Sequence, residues 1–409
     1  MSWRARLAAE FAPRRLLGSL AAALILYLLV CIMTLSIAAM VYAGPLAALL
    51  PRALGGMLVG VALLVAVLSL LSAWGGTIGT TQDGSGVILA LGSATAAAAL
   101  PLATPEVRAA TLSTLLLLVT LAFGGLCLLL GSFGLGALVR YLPVPVIGGF
   151  LAGTGWLLVM GGLGVAARTG FGWPLLEPGA VLRWLPALAL GIAMLVAIQL
   201  GRHAALLVVI GGLAALLFYA LMGFGLGRSA QELADAGWLL GPFPEQLQWH
   251  SPLALQSLMA VDWRALVAAL PTTVPAMLIG ALALMLSTSA LELVVQRDLS
   301  TDHELRVHGM ANIACAAAGG LIGYTAISVT SIGHALTGGR RLPGMLVALL
   351  LLATALLGAT AIAAVPRFVI GGLLVCIGLS LLQEWLLQAR RGMARGDYAV
   401  MLAIFAVIV

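Results

Sequence analysis

Charge is what this chain lacks. Only 8% of its 409 residues are Asp, Glu, Lys or Arg, against roughly 25% in a soluble domain. So little charge cannot coat a water-exposed surface of this size, which excludes an ordinary soluble protein and makes lipid the solvent for most of the chain. Lysine is missing altogether. The 20 basic residues are all Arg, scattered singly or in pairs between apolar runs. A formal charge of +6 spread in that way forms no contiguous basic footprint, so a nucleic-acid partner is excluded. The few cysteines, Cys31, Cys127, Cys315 and Cys376, each stand alone inside an apolar run, without the paired spacing of a metal or redox site, and read as small buried hydrophobes. The sequence has no nucleotide-binding glycine loop, no nucleophile elbow and no supported pair of carboxylates. No catalytic residue, cofactor or metal site is expected, and the chain does not read as an enzyme. His303-Glu304 with His308 is superficially like a zinc-protease helix, but that chemistry needs histidines at i and i+4 on one face. Here the spacing is i and i+5, in a stretch that reads as a charged cytoplasmic loop.

What the chain has in abundance is apolar length. Hydrophobic residues make up 62%, glycine contributes 50 residues, and the mean hydropathy is +1.16. Runs able to cross a bilayer, full or interrupted, fall at 16–43, 53–73, 84–100, 109–130, 144–166, 182–200 and 204–226. After a more polar stretch they resume at 266–294, 307–323, 328–337, 344–364, 367–387 and 397–409. The first run is too long for a secretory signal, whose apolar core is roughly 7–15 residues, and reads as a membrane helix. The expected fold is therefore an all-α polytopic membrane protein. Its parts are a cytoplasmic N-terminus (1–15), a first repeat of seven segments (16–226), an extracytoplasmic loop (227–265) and a second repeat (266–409).

The arginines orient these segments. With the N-terminus inside, the cytoplasmic ends hold Arg4, Arg6, Arg14, Arg15, Arg140, Arg202, Arg297, Arg306, Arg340, Arg341, Arg390, Arg391 and Arg395. The outer ends hold Arg52, Arg108, Arg168, Arg183, Arg228, Arg264 and Arg367. The excess has the sign that the positive-inside rule requires in a bacterial inner membrane. Because seven segments precede the loop, the second half begins on the opposite side from the first, and the repeat is inverted. The second half has one segment fewer and stops inside an apolar run, so a last segment is expected to be missing from a longer protein.

The third segment of each half is short and rich in Gly, Ser and Thr: GTIGTTQDGSGVILALGS in the first, GYTAISVTSIGHALTGG in the second. Paired interrupted segments at matching places are the best sequence pointer to a transporter's central site. Gln82, Asp83, Gly84 and Ser85 lie where one half-helix would start, and Thr325, Ser328, Thr330 and Ser331 where the other would. A helix start carries unpaired N–H groups and about half a positive charge, so two of them can hold an anion without a basic side chain. The plain alternative is that these hydroxyls cap or pack helices. Asp83, a carboxylate beside an anion site, is read either as an N-cap or as a protonatable or cation-coupling group. Glu292 reads as interfacial, with coupling as the alternative.

With these pieces in view, the chain resembles the SulP family of inorganic-anion permeases over essentially its whole length. The resemblance is carried by MTLSIAAMVYAGPLAALLP (33–51), TTQDGSGVILALGS (80–93), YLPVPVIGGFLAGTG (141–155) and QRDLSTDHELRVHGMAN (296–312). It implies fourteen segments as two inverted sevens, split into core and gate domains. It also implies a homodimer, a STAS domain beyond Val409, and an anion held between the helix starts of segments three and ten near the middle of segment one. Carried over by position, Thr34 and Ser36 join Gln82, Asp83, Gly84, Ser85, Ser328, Val329, Thr330 and Ser331. Three positions depart from the family pattern. Thr34-Leu35 stands where many members have Pro-Gln, Ser287 where many have an acid, and Val329 where a basic residue is common. Asp83, Ser287 and Glu292 are the coupling candidates, with a sodium ion or proton as the coupled ion.

The resulting expectation is a secondary transporter of a small inorganic anion, sulfate-like by default, working by elevator-type alternating access. Two alternatives stand beside it. A nucleobase-type cation symporter of the same fold would need an acid-bearing pocket in segments eight and ten. A non-transporting membrane sensor or scaffold would bind an anion without flux.

Overall fold

The computed structural model describes residues 13–137, 143–169, 173–201, 205–241, 252–357 and 363–408. The N-terminal stretch 1–12, the middle of the 227–265 loop at 242–251 and the end of the 344–364 run at 358–362 lie outside the described residues. Helices fill nearly all the rest, in the order α1 (Pro13–Val41), α2 (Leu50–Leu71), α3 (Asp83–Ala98), α4 (Pro105–Ser132), α5 (Val144–Ala167), α6 (Pro178–Gly201) and α7 (Ala205–Ala220). Two short helices follow, α8 (Ala230–Asp235) and α9 (Leu255–Met259). Then come α10 (Trp263–Val295), α11 (Thr301–Ala318), α12 (Ile327–Thr337), α13 (Leu342–Leu357), α14 (Arg367–Leu382) and α15 (Arg395–Ile408). Two three-residue strands, β1 (Gly79–Thr81) and β2 (Gly323–Thr325), precede α3 and α12. Among the described residues, seven helical stretches are long and apolar enough to cross a membrane, and large side chains such as Leu24, Leu129, Leu182 and Leu278 are exposed along them. In lipid such exposure carries no penalty.

Local chemistry sets the ends. Thr104 accepts from the Val107 N–H ahead of Pro105, and Asp262 accepts from the N–H groups of Arg264 and Ala265, so two long helices open on side-chain caps. Ser300 does the same for α11 through the His303 N–H at 3.3 Å. That cap starts α11 at Thr301. The 303–308 stretch is thus a helix rather than the cytoplasmic loop its charges suggested, and His308 is fully buried. His303 Nε2 meets the Leu71 carbonyl at 3.0 Å while His308 turns elsewhere, as the five-residue spacing requires.

The chain divides into two compact units. One gathers the residues up to Thr34, Arg52–Val139 and Leu247–Leu357; the other gathers Leu35–Pro51, Arg140–Gln246 and Gly358–Val409. Each half of the sequence gives its earlier segments to one unit and its later ones to the other, with α1 divided between the two at Thr34, a partition of the kind a core-and-gate architecture requires.

Inside the first unit the pairings repeat with the inversion expected. The strands β1 and β2, from equivalent segments, pair antiparallel as Gly79↔Thr325, Thr80↔Tyr324 and Thr81↔Gly323. Helix α3 packs on α10 through Gly92 against Thr273, and its counterpart α12 packs on α1 through Gly333 against Leu26. Helix α4 packs on α11 at Gly124 and Gly309, and α13 packs on α2 at Gly344 against Ser69. Each contact in one half has its partner in the other.

The second unit has a seam of its own. A Cβ at Gly162 would lie 2.6 Å from the Gly371 carbonyl oxygen, and one at Gly378 would lie 2.5 Å from that of Gly155. Helices α5 and α14 therefore cross backbone to backbone at two points, two turns apart. Such contact replaces the hydrophobic drive that lipid does not supply. Arg367 ties down the start of α14 by donating to the carbonyls of Leu239 and Leu240 at 2.9 and 3.1 Å.

Candidate functional site

The two-stranded ribbon is the centre of the first unit. Alternation places Gly79, Thr81, Gly323 and Thr325 on one face and Thr80 with Tyr324 on the other. The first face lies on α2, because Cβ atoms at Gly79 and Gly323 would meet Leu68 and Leu64 at 2.5 and 2.3 Å. Only glycine lets the helix come so close.

The ribbon's ladder continues one step at each end. The Gln82 N–H donates to the Ile322 carbonyl at 2.9 Å, and the Ala326 N–H to that of Ile78 at 3.1 Å. Gln82 and Ala326 are the N-cap residues of α3 and α12. Four residues of strand separate them, about 13 Å at about 3.3 Å per residue. Because the strands are antiparallel, the helices leave in opposite directions and their positive ends face each other along the ribbon. Between them, on the face away from α2, lies the Thr80 hydroxyl, 1% exposed and without a hydrogen-bond partner among the described residues. A buried, unpaired hydroxyl is costly to keep unless something else pairs with it.

The residues expected at the site separate into several roles. Gln82 and Ser85 turn toward α10: the Ser85 hydroxyl donates to Gln82 Oε1 and lies 2.7 Å from the Ala276 carbonyl, and Gln82 Nε2 reaches the Ile279 carbonyl at 3.5 Å. Ala276 follows Pro275, one of two prolines inside α10. Asp83 is the first residue of α3 rather than its cap; its carboxylate accepts from the Gly84 N–H at 2.8 Å and from the Tyr324 hydroxyl. Thr330 is turned inward, accepting from the Ile78 N–H at 3.1 Å, and Val329 is buried beside it. Ser328 is exposed and Ser331 partly so, both in the first turns of α12. Thr34 is buried in an unbroken α1 and donates to the Val30 carbonyl at 2.8 Å. Ser36 belongs to the second unit, where it is buried. Of the coupling candidates, Ser287 is buried on α10. Glu292 closes the α10–α11 turn by accepting from the Leu299 N–H at 2.8 Å.

Other residues, which sequence reasoning did not place at the site, hold the ribbon in position. Gly323 faces outward from the strand pair, and Asn312 on α11 covers it. Asn312 Oδ1 accepts from the Gly323 N–H at 2.8 Å, and Nδ2 donates to the Gly323 and His308 carbonyls, each at 2.9 Å. Glu304, 2% exposed, accepts from Ser72 Oγ at 2.9 Å and the Ala73 N–H at 2.8 Å just past the end of α2. Arg341 caps the same end, donating to the carbonyls of Ser69 and Leu70 at 2.6 Å and Ser72 at 3.1 Å. The usable signal was the polar content of DHELRVHGMAN, too polar for an idle membrane helix.

A polytopic helical chain with a split repeat and two half-helices meeting head to head at a buried ribbon belongs to the class of membrane proteins with inverted repeats and broken helices. The chain belongs to the sulfate permease family, whose description matches residues 16–404. Its fold is that of solved anion transporters. The transmembrane domain of the cyanobacterial bicarbonate transporter BicA superposes with a TM-score of 0.66 at 19% identity, covering 97% of each chain. Murine Slc26a9 in the inward-facing state gives 0.68 at 14% identity, covering 95% of this chain and 64% of that one. Among curated proteins, the vacuolar basic amino acid transporter VSB1 of Saccharomyces cerevisiae is 22% identical over 284 residues. The match takes in 67% of this chain and spans 27% of that relative's length.

Proposed function

We propose that this chain is a secondary active transporter of a small inorganic anion, sulfate by default, with the anion held along the ribbon between the starts of α3 and α12. The observation that carries this reading is the Thr80 hydroxyl, buried and unpartnered between two helix starts that face each other. First-turn N–H groups of α12, and those of α3 that the Asp83 carboxylate does not take, supply donors and partial positive charge with the Ser328 and Ser331 hydroxyls, without a full cation. Such a site binds reversibly, as transport requires. The ribbon-bearing unit moves as one body in an elevator-type cycle. The protein works as a homodimer in the bacterial inner membrane with its N-terminus cytoplasmic, the side favoured by the arginine count. Replacing Ser328 and Ser331 together with alanine leaves the protein folded and weakens sulfate uptake; unchanged uptake in that double variant rules out this placement of the anion.

A second reading has one specific observation behind it. Asp83 sets a carboxylate at the start of α3, and a curated relative is named for basic amino acids. A cationic amino acid would pair with that carboxylate. Asp83→Asn separates the two: it strengthens binding of an anion by removing repulsion, and weakens binding of arginine by removing its partner.

A further inference from the structure

A buried cluster of polar side chains, Glu304, His308 and Asn312, lies behind the ribbon on α11. His308 is fully buried, with Nδ1 2.8 Å from the Glu304 carbonyl and Nε2 2.8 Å from Thr325 Oγ1. A carbonyl oxygen can only accept, so Nδ1 carries the hydrogen. In the neutral ring Nε2 therefore accepts from the Thr325 hydroxyl. The Glu304 carboxylate lies 3.9 Å from Nδ1 and is itself buried. Thr325 is the last residue of β2, directly before the N-cap of α12. An imidazole between a buried carboxylate and the ribbon is more than helix packing requires; a leucine would fill that volume without any polar group to satisfy.

We propose that His308 is the proton-binding site of this transporter, coupling one proton to anion binding through Thr325. This rests on the anion reading above and identifies its coupling ion as the proton. The proton arrives from water and adds to Nε2. Nε2–H then donates to Thr325 Oγ1, and the Thr325 hydroxyl, its O–H bond intact, rotates its hydrogen away from the ring. The imidazolium places a full positive charge behind the ribbon, within reach of the helix starts, and the Glu304 carboxylate stabilises it. By linkage, whatever the proton does for the anion, the anion does for the proton. The other charged or titratable groups around His308 are already engaged or distant in role. On the ribbon side Tyr324 is bonded to Asp83. On α4 Cys127 is buried, on α11 the buried Cys315 thiol donates to the Leu321 carbonyl at 3.3 Å, and Arg306 bonds the Asp302 carbonyl near the helix start. Arg341 at the end of α2 and Glu292 at the end of α10 are held by backbone groups. Helix α2 packs Leu64, Val67 and Leu68 against Val307, Ala311 and Cys315 of α11.

The test is the pH dependence of KM for labelled sulfate in proteoliposomes, since sulfate does not titrate between pH 5.5 and 8. The wild type shows KM about tenfold lower at pH 5.5 than at pH 8, within the range usual for coupled sites. His308→Gln keeps a group that accepts from Thr325, still transports, and shows a flat KM. Glu304→Gln moves the midpoint of the profile to lower pH, a change that loss of mere structural support would not produce. A wild-type profile in His308→Gln, or a flat KM in the wild type, overturns the proposal. Absence of sulfate uptake at every pH instead sinks the anion reading. The coupling is then judged by NMR titration of the His308 imidazole in the purified protein, where no protonation between pH 4 and 8 overturns it.

Discussion

Replacing Asn312 with alanine removes three hydrogen bonds at once and exposes the ribbon's weak edge. Gly79↔Thr325 and Thr81↔Gly323 are the non-hydrogen-bonded pairs of the ribbon, so the Gly323 N–H and C=O point away from β1. The Asn312 side chain satisfies both, at 2.8 and 2.9 Å, and also donates to the His308 carbonyl. Three bonds at about 1 kcal/mol net each make about 3 kcal/mol. Gly323 is buried, so its orphaned groups push the cost toward the upper end of that range or beyond it. Against a total stability of about 5–15 kcal/mol this is a large fraction. The assay is unfolding of the purified protein in mixed micelles by increasing mole fraction of SDS, with sulfate uptake measured on the same preparation. Met310→Ala, on the same helix but 43% exposed, is the control and stays within about 0.5 kcal/mol. Asn312→Ala should lose about 3 kcal/mol and most uptake. A loss under about 1 kcal/mol with normal uptake would refute the claim that this side chain holds the ribbon.

The α5–α14 seam predicts that Gly378→Ala, whose new methyl would meet the Gly155 carbonyl oxygen at 2.5 Å, costs about 1–3 kcal/mol in the same assay. Gly212→Ala, with nothing within 4 Å, costs nothing and gains up to about 1 kcal/mol. Thr80→Val keeps shape and fold but deletes the unpartnered hydroxyl, and raises KM for the anion about fivefold, the equivalent of one neutral hydrogen bond of about 1 kcal/mol. Arg341→Lys cannot reproduce the fork that spans three carbonyls at the end of α2 and destabilises by about 1–2 kcal/mol, read by the same unfolding curve.

Segment positions were legible in the sequence because length and hydropathy alone decide what crosses a bilayer, and helices α1 to α7 and α10 to α15 fall on the thirteen apolar runs. The ribbon was legible as a pair of Gly, Ser and Thr-rich interruptions, since no apolar helix needs such residues. What its side chains do was not. Thr330 and Ser331 look equivalent on paper, yet about 100° of helical rotation turns Thr330 onto Ile78 and leaves Ser331 partly exposed. Arg341 read as a topology signal and caps α2 from some 270 residues away, a contact that exists only after folding. The i and i+5 spacing of the histidine pair rules out a metal motif and says nothing of the bonds His308 makes to the Glu304 carbonyl and Thr325 once α11 packs behind the ribbon.

The central claim is anion transport, and it is tested most directly by uptake of labelled sulfate into proteoliposomes holding the full-length protein, with unlabelled bicarbonate, chloride, arginine and uracil as competitors. Saturable sulfate uptake that other anions compete, and that arginine and uracil do not, is the predicted result. Labelled arginine entering while sulfate does not would contradict the account and point to Asp83 as the substrate's partner.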